Sequence, residues 1–295
     1  MPDLADLFPG FDSHWIDGPA GRIFARSKGA GEPLILLHGF PQTMAMWHKI
    51  ASALTEKHRV VLMDLRGYGW SAAPASEGGA LYSKRAMGED VVAVMEALGH
   101  ARFAVAGHDR GARVAYRLAL DHPGRVSKLA LLDIIPTCEV WKNIAAGVQP
   151  AAHWAFLAQP APRPEREIAA APDVYFEGLM TKWAQVETFD PRAMAHYRAA
   201  WCDPSRIHAM CEDYRAGATI DRLQDESDLA AGARIQCPVL TINGDFFLTR
   251  SAGVAPVEIW KRTFAPQAQG VMVPNGHFVA EESPDETLAA LQAFL

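Results

Sequence analysis

The sequence predicts an α/β fold in which a mostly parallel sheet carries helices on both faces and is interrupted late by a helical insertion. Three observations carry this. Short β-branched or leucine-rich runs alternate with helix-length amphipathic segments through residues 33–134. Strand texture then gives way, from about residue 137 to about 225, to segments rich in Trp, Tyr, Met and Ala that read as helices. It returns at residue 237, and the chain closes on one more helical pattern.

The elements follow in order. "HWIDGPAGRIFARSKG" reads as a hairpin, and "PLILLHG" (33–39), "RVVLMDL" (59–65), "RFAVAGHD" (102–109) and "SKLALLDI" (127–134) read as buried strands. Between them "YSKRAMGEDVVAVMEALG" and "RGARVAYRLALDHP" have helical spacing. "PEREIAAAPDVYFEGLMTKWAQ" reads as helix within the insertion. "CPVLTING" (237–244) and "QGVMVP" (269–274) resume the strands, and "SPDETLAALQAFL" reads as a capped amphipathic helix. The expected organisation is therefore a core formed by residues 1–136 and 226–295, with an insertion at 137–225.

Composition narrows the function classes. With 295 residues, 49% of them hydrophobic, the chain can build a full core as one large domain or two modest ones. A net charge of −6 without long single-sign runs argues against nucleic-acid binding. "MPDLADLFPGFDSHW" lacks the basic start and apolar run of a secretory signal, and no apolar run is long enough to span a bilayer. Cys138, Cys202, Cys211 and Cys237 have neither zinc-site spacing nor a disulfide framework; they read as reduced, mostly buried thiols of a cytoplasmic protein.

The stretch "VAGHDRGAR" carries the chemistry. Gly107 and Gly111 bracket Asp109 between a predicted strand and a predicted helix, the setting of a strained turn that holds one nucleophilic side chain above a sheet. The plainer reading is a glycine-bounded turn with Asp109 as a helix cap.

With "HGFPQTMAMW", "DLRGYGWS", "GHDRG" and "NGHF" in that order, the chain resembles the α/β-hydrolase family over essentially its whole length. The resemblance implies a mostly parallel eight-stranded sheet with a helical cap inserted after strand 6. It also implies a catalytic triad in the chain order nucleophile, acid, histidine. Asp109 is then the nucleophile and His277, in "VPNGHFVAEESP", the base. The acid is Asp133 or Asp245, each following a core strand; Asp133 is favoured because its surroundings match the subgroup described below. The resemblance implies an oxyanion hole from the backbone N–H groups of Phe40 and Arg110, with His38 and His108 as structural residues beside it.

An aspartate nucleophile changes the reaction class. Serine displacing a leaving group from saturated carbon would form an ether that the enzyme could not reopen, whereas Asp109 would form an alkyl ester with a carbonyl that water can attack. His277 would activate that water, and the acid would hold the imidazole in the required tautomer. Alkyl halides and epoxides are the matching electrophiles.

The insertion offers donors for either leaving group. Opening an epoxide calls for acidic donors, often two tyrosines, whereas expelling a halide calls for donors that solvate a small anion. "AAHWAFLAQP" and "CEDYRAG", together with "GHDRGAR", resemble the fluoroacetate and haloacetate dehalogenases. That resemblance implies halide binding by His153, Trp154 and Tyr214, and binding of the substrate carboxylate by Arg110 and Arg113. The charge logic agrees, because paired guanidinium groups neutralise a carboxylate and would be idle for a neutral haloalkane. Arg113 could instead pair with a surface acid, and His153, Trp154 and Tyr214 could be packing residues. Trp141, Trp183, Tyr197 and Trp201 read as packing and tunnel wall, with Trp183 beside Lys182 the one of most interest. One departure is the continuation "FFLTR" after "NGD", which could reshape the pocket wall.

The leading expectation is a haloacid hydrolase that converts a haloacetate to glycolate and halide, its chemistry requires no metal or organic cofactor, and the resemblance implies a homodimer. The alternatives are an epoxide hydrolase using Tyr214, and a non-catalytic ligand-binding protein on the same fold. An intact nucleophile, base and acid argue against the last.

Overall fold

The computed structural model describes residues 4–147, 152–248 and 254–295. Eight strands form one sheet: β1 (Asp12–Gly18), β2 (Gly21–Lys28), β3 (Glu32–Leu37), β4 (His58–Met63), β5 (Phe103–His108), β6 (Val126–Leu132), β7 (Val239–Gly244) and β8 (Gln269–Val273). Their order is β1-β2-β4-β3-β5-β6-β7-β8. The hairpin β1–β2 is antiparallel, as is β2 against β4, and every other pairing is parallel.

The central strands explain the unbroken apolar runs. Leu34, Ile35, Leu36 and Leu37 in β3, and Val60 to Met63 in β4, are all fully buried. Successive strand residues point to opposite faces, so burial at every position means both faces are covered. Each such side chain contributes roughly 1.5–3 kcal/mol of transfer free energy. The helices Lys84–Ala97 and Asp109–Asp121 pack on one another, and the second lies against β5 and β6.

Between β6 and β7 the described chain is helical from Thr137 to Ala230, apart from short connections and residues 148–151. Two local expectations need correction. The segment "PEREIAAAPDVYFEGLMTKWAQ" is two helices, Arg163–Ala169 and Pro172–Trp183, because Pro172 has no N–H to continue the first and suits the opening turn of the second. The last helix, Pro284–Phe294, lacks the expected serine cap. The Ser283 hydroxyl instead donates to the Pro274 carbonyl (2.6 Å) and accepts from Asn275 Nδ2 (3.1 Å), tying the helix start to the loop after β8.

All four cysteines are free thiols, three of them buried and Cys202 exposed. Among the described residues no helix is long and apolar enough to cross a membrane. Because β3, β5, β6, β7 and β8 are parallel, the residues that follow them emerge along one edge of the sheet, where the chemistry-bearing side chains collect.

Candidate active site

Asp109 opens the helix after β5 with φ = 45°, a left-handed conformation that costs a non-glycine residue roughly 1–3 kcal/mol. The flanking glycines make the turn possible. A Cβ on Gly107 would stand 2.6 Å from the Gly111 carbonyl oxygen, and one on Gly111 would stand 2.3 Å from that of His38. Asp109 Oδ1 accepts the Phe40 N–H at 2.9 Å. Its other oxygen, Oδ2, faces His277 Nε2 at 3.7 Å.

His277 stands on the loop between β8 and the short helix Val279–Glu282. Its Nδ1 donates to Asp133 Oδ2 at 2.6 Å, while Asp133 Oδ1 accepts the Gly244 N–H at 3.1 Å. Asp133 is buried and, like Asp109, sits in a left-handed conformation, with φ = 51°. Asp245, the other candidate acid, is exposed. With Nδ1–H engaged by Asp133, a neutral His277 presents the Nε2 lone pair to Asp109 and to the space beside it.

Charge at the site is arranged by burial and by partners. Burial works against ionisation of Asp109, but His277, Arg110 and Arg113 outweigh it and hold the carboxyl well below the usual range. Burial also opposes a charged His277, yet the hydrogen bond and charge of Asp133, with Asp109 and Glu282 behind, raise the imidazole above its ordinary value. His38 and His108 are fully buried and pulled down to about 4 and about 3 by desolvation, so both are neutral near pH 7. His38 Nδ1 donates to the Gly39 carbonyl (3.1 Å) and its Nε2 accepts the Leu65 N–H (3.0 Å). His108 Nε2 donates to the His277 carbonyl at 2.9 Å. Both imidazoles brace the loops around Asp109 through these bonds.

The two arginines are buried beside the nucleophile. Arg113 Nη1 donates to the Ile135 carbonyl (3.1 Å) and to Thr137 Oγ1 (3.0 Å), and its guanidinium lies 4.6 Å from the Trp154 ring centre. This placement leaves no room for the surface ion pair. The Arg110 guanidinium lies 3.4 Å from the Tyr214 ring centre and 4.5 Å from that of Trp154, with one 3.5 Å contact from Nη1 to Asp213 Oδ1. Among the described residues, Nε and Nη2 of Arg110 and Nε of Arg113 are buried without an acceptor. Each such orphaned donor costs roughly 1–3 kcal/mol.

The helical segment closes over these groups. Ring centres of His153 and Trp154, on the helix Ala152–Leu157, stand 5.8 and 5.6 Å from that of Tyr214 on the helix Pro204–Ala216. Burial, then the Arg110 charge, pull His153 down to about 3, so it is neutral. Burial pushes the Tyr214 phenol up, keeping its hydrogen as a donor. The sequence-read residues Asp109, His277, Asp133, Phe40, Arg110, Arg113, His153, Trp154 and Tyr214 thus gather in one place. Of the aromatic residues read as wall, Trp183 is the one against the base, with ring centres 4.6 Å from His153 and 5.8 Å from His277. Trp141 packs on Trp154, whereas Tyr197 and Trp201 bond to Glu281 and Asp173.

Some neighbours escaped the sequence reading. Asp213, fully buried, receives Tyr68 Oη–H at 2.8 Å and pairs with buried Lys84, which also contacts Asp221 Oδ2 at 3.3 Å. Arg110, Asp213, Lys84 and Asp221 thus form an alternating chain of two cations and two anions. A Cβ on Gly217, in the π-helical turn Gly217–Asp221, would stand 3.2 Å from Arg110 Nη1. Phe247, from the unusual "FFLTR" continuation, lies 4.6 Å from the His277 ring centre, so that continuation does contribute to the wall; Thr249 and Arg250 lie outside the described residues. Among the described residues no cluster of His, Cys, Asp and Glu is suited to a metal ion.

This fold, with its acid, histidine and aspartate at the strand ends, defines an α/β hydrolase, and the family model for the alpha/beta hydrolase fold matches residues 32–284. The chain belongs to that family and, within it, to the family of the fluoroacetate dehalogenase of Burkholderia sp, with which it is 42% identical over 98% of this chain and 95% of that protein. It is also 31% identical to the soluble epoxide hydrolase of Corynebacterium sp. (strain C12), over 89% of this chain and 90% of that one. The crystal structure of ALR0039 from Nostoc sp PCC 7120 superimposes with a TM-score of 0.91 at 45% identity, covering 97% of this chain and 98% of that one. The protein is a hydrolase.

Proposed function

We propose that this hydrolase removes halide from short haloacids such as chloroacetate and fluoroacetate, releasing glycolate through a covalent ester on Asp109. The observation that carries the reading is the set of unpaired, buried guanidinium donors of Arg110 and Arg113 beside an ionised carboxylate. A substrate carboxylate satisfies those donors, and a neutral haloalkane or epoxide does not.

The substrate carboxylate binds Arg110 and Arg113, which direct the α-carbon at Asp109. Oδ2, the oxygen not held by the Phe40 amide, forms a bond to that carbon as the carbon–halogen bond breaks. The halide leaves with the bonding electron pair, among the donors of His153, Trp154 and Tyr214. Water then adds to Cγ of the ester and passes a proton to His277 Nε2, while Asp133 stabilises the imidazolium. Negative charge collects on Oδ1, where the Phe40 N–H already points. Collapse breaks the bond between Cγ and the glycolate oxygen, glycolate takes the proton from His277, and Asp109, now carrying one oxygen from water, loses the second water proton to solvent and returns to a carboxylate.

Epoxide hydrolysis is a second reading with one observation in its favour. Among the described residues the Tyr175 hydroxyl is buried without a partner, in the helical segment that also supplies Tyr214, and two phenols are what an opening oxirane requires. The test is to incubate the purified protein with chloroacetate, fluoroacetate and a neutral epoxide, measuring halide and diol. Halide from a haloacetate is the expected result. Diol without halide would contradict it and transfer the site to epoxides.

A further inference from the structure

The loop that carries His277 is held from an unexpected direction. The Gly276 N–H donates to Glu282 Oε1 at 3.2 Å and the Phe278 N–H donates to Glu282 Oε2 at 3.0 Å, so one carboxylate takes the amides on both sides of the base. The intervening His277 N–H donates to the Trp183 carbonyl at 2.9 Å, and the Gln185 N–H donates to Glu282 Oε1 at 3.1 Å. Gly276 passes so close to the helical segment that a Cβ there would stand 2.1 Å from the Trp183 oxygen. Charge-assisted bonds of this kind are about twice as strong as neutral ones, and here they join the base to the chain closing over the substrate.

We propose that Glu282 is a positioning residue for the second half-reaction, locking His277 and residues 183–185 into one unit so that the base meets the ester water in register. The proposal rests on the covalent reading above. Alkylation needs no proton transfer, and the Asp109 carboxylate is held at the elbow by the Phe40 N–H rather than by Glu282. Hydrolysis does need His277, and misplacement by about 1 Å can cost on the order of 100-fold.

Electrostatics add a separate signature. Among the described residues, the titratable groups facing His277 are Asp133 at the end of β6, Asp109 and His108 at the elbow, His153 in the helical segment, and Glu282. His108 and His153 are neutral, and Asp109 loses its charge on becoming an ester. Asp133 and Glu282 are then the anions left to support the imidazolium, so removing the Glu282 charge must lower the pKa of His277 in the intermediate.

The test is rapid mixing of wild type, E282Q and E282A with chloroacetate, following adduct formation by intact mass, first-turnover halide release, and ester hydrolysis against pH. Alkylation should stay within about twofold of wild type in both variants, which also reports that they fold. Ester hydrolysis should slow by about 10- to 100-fold in E282A, with adduct accumulating. In E282Q the midpoint of the hydrolysis profile should move to lower pH, because a less basic imidazole stays unprotonated further into acid. Unchanged hydrolysis and an unchanged profile would overturn the assignment, as would equal losses in both half-reactions. Failure of the wild type to form any adduct or release halide would overturn the covalent reading along with it.

Discussion

His277→Asn is expected to stop turnover halfway, leaving a protein heavier by one carboxymethyl group after exposure to chloroacetate. The reason is the division of labour at the elbow. With His277 gone, Arg110 and Arg113 still hold the Asp109 carboxyl down, and the Phe40 amide takes only Oδ1, leaving Oδ2 for the attack. Displacement of halide therefore needs neither proton transfer nor an imidazole. Hydrolysis of the resulting ester needs both, and a positioned general base contributes roughly 100- to 10,000-fold. The variant should release about one halide per active site and then stall, with turnover down by about a thousandfold or more. Intact mass measured against time checks both. A folded variant that binds substrate and stays at its starting mass would remove Asp109 as a covalent nucleophile.

Arg113→Ala should damage haloacetate turnover selectively. Burial, and next the charge of Arg110, push Arg113 below its ordinary value, so the free enzyme holds two buried cations at a cost that an incoming carboxylate relieves. Truncating one partner of a buried, hydrogen-bonded charge pair typically costs about 2–5 kcal/mol, so kcat/KM for chloroacetate should fall by about 30-fold or more. A neutral haloalkane has no carboxylate to lose and should suffer by less than about tenfold. The ratio of the two kcat/KM values is the readout, and equal losses would remove the arginines from carboxylate recognition.

Much of the site was legible because its geometry is local to strand ends. Gly107 and Gly111 around Asp109 mark a strained turn in any strand-to-helix context, and Asp133 and His277 sit just beyond runs that only a buried parallel strand explains. The choice between Asp133 and Asp245 needed coordinates, since both follow strands and only the path of the loop after β8 fixes which carboxylate the imidazole meets. The helical segment was harder to read. Asp213 and Lys84 look in sequence like solvated charges, and their burial depends on two segments more than a hundred residues apart coming together. Glu282 was hidden for a related reason: "AEESPDE" reads as an acidic helix start, and the amides it serves lie behind it in the chain and across in the helical segment.

The covalent role of Asp109 is tested most directly by a single turnover of chloroacetate with enzyme in excess, in heavy-oxygen water. Unlabelled glycolate is expected from that turnover, with one heavy oxygen on the peptide containing Asp109, because water attacks the ester at Cγ while the glycolate oxygen comes from the enzyme. Heavy oxygen in the first glycolate, with Asp109 unlabelled, would mean that water displaces the halide directly, and would contradict it.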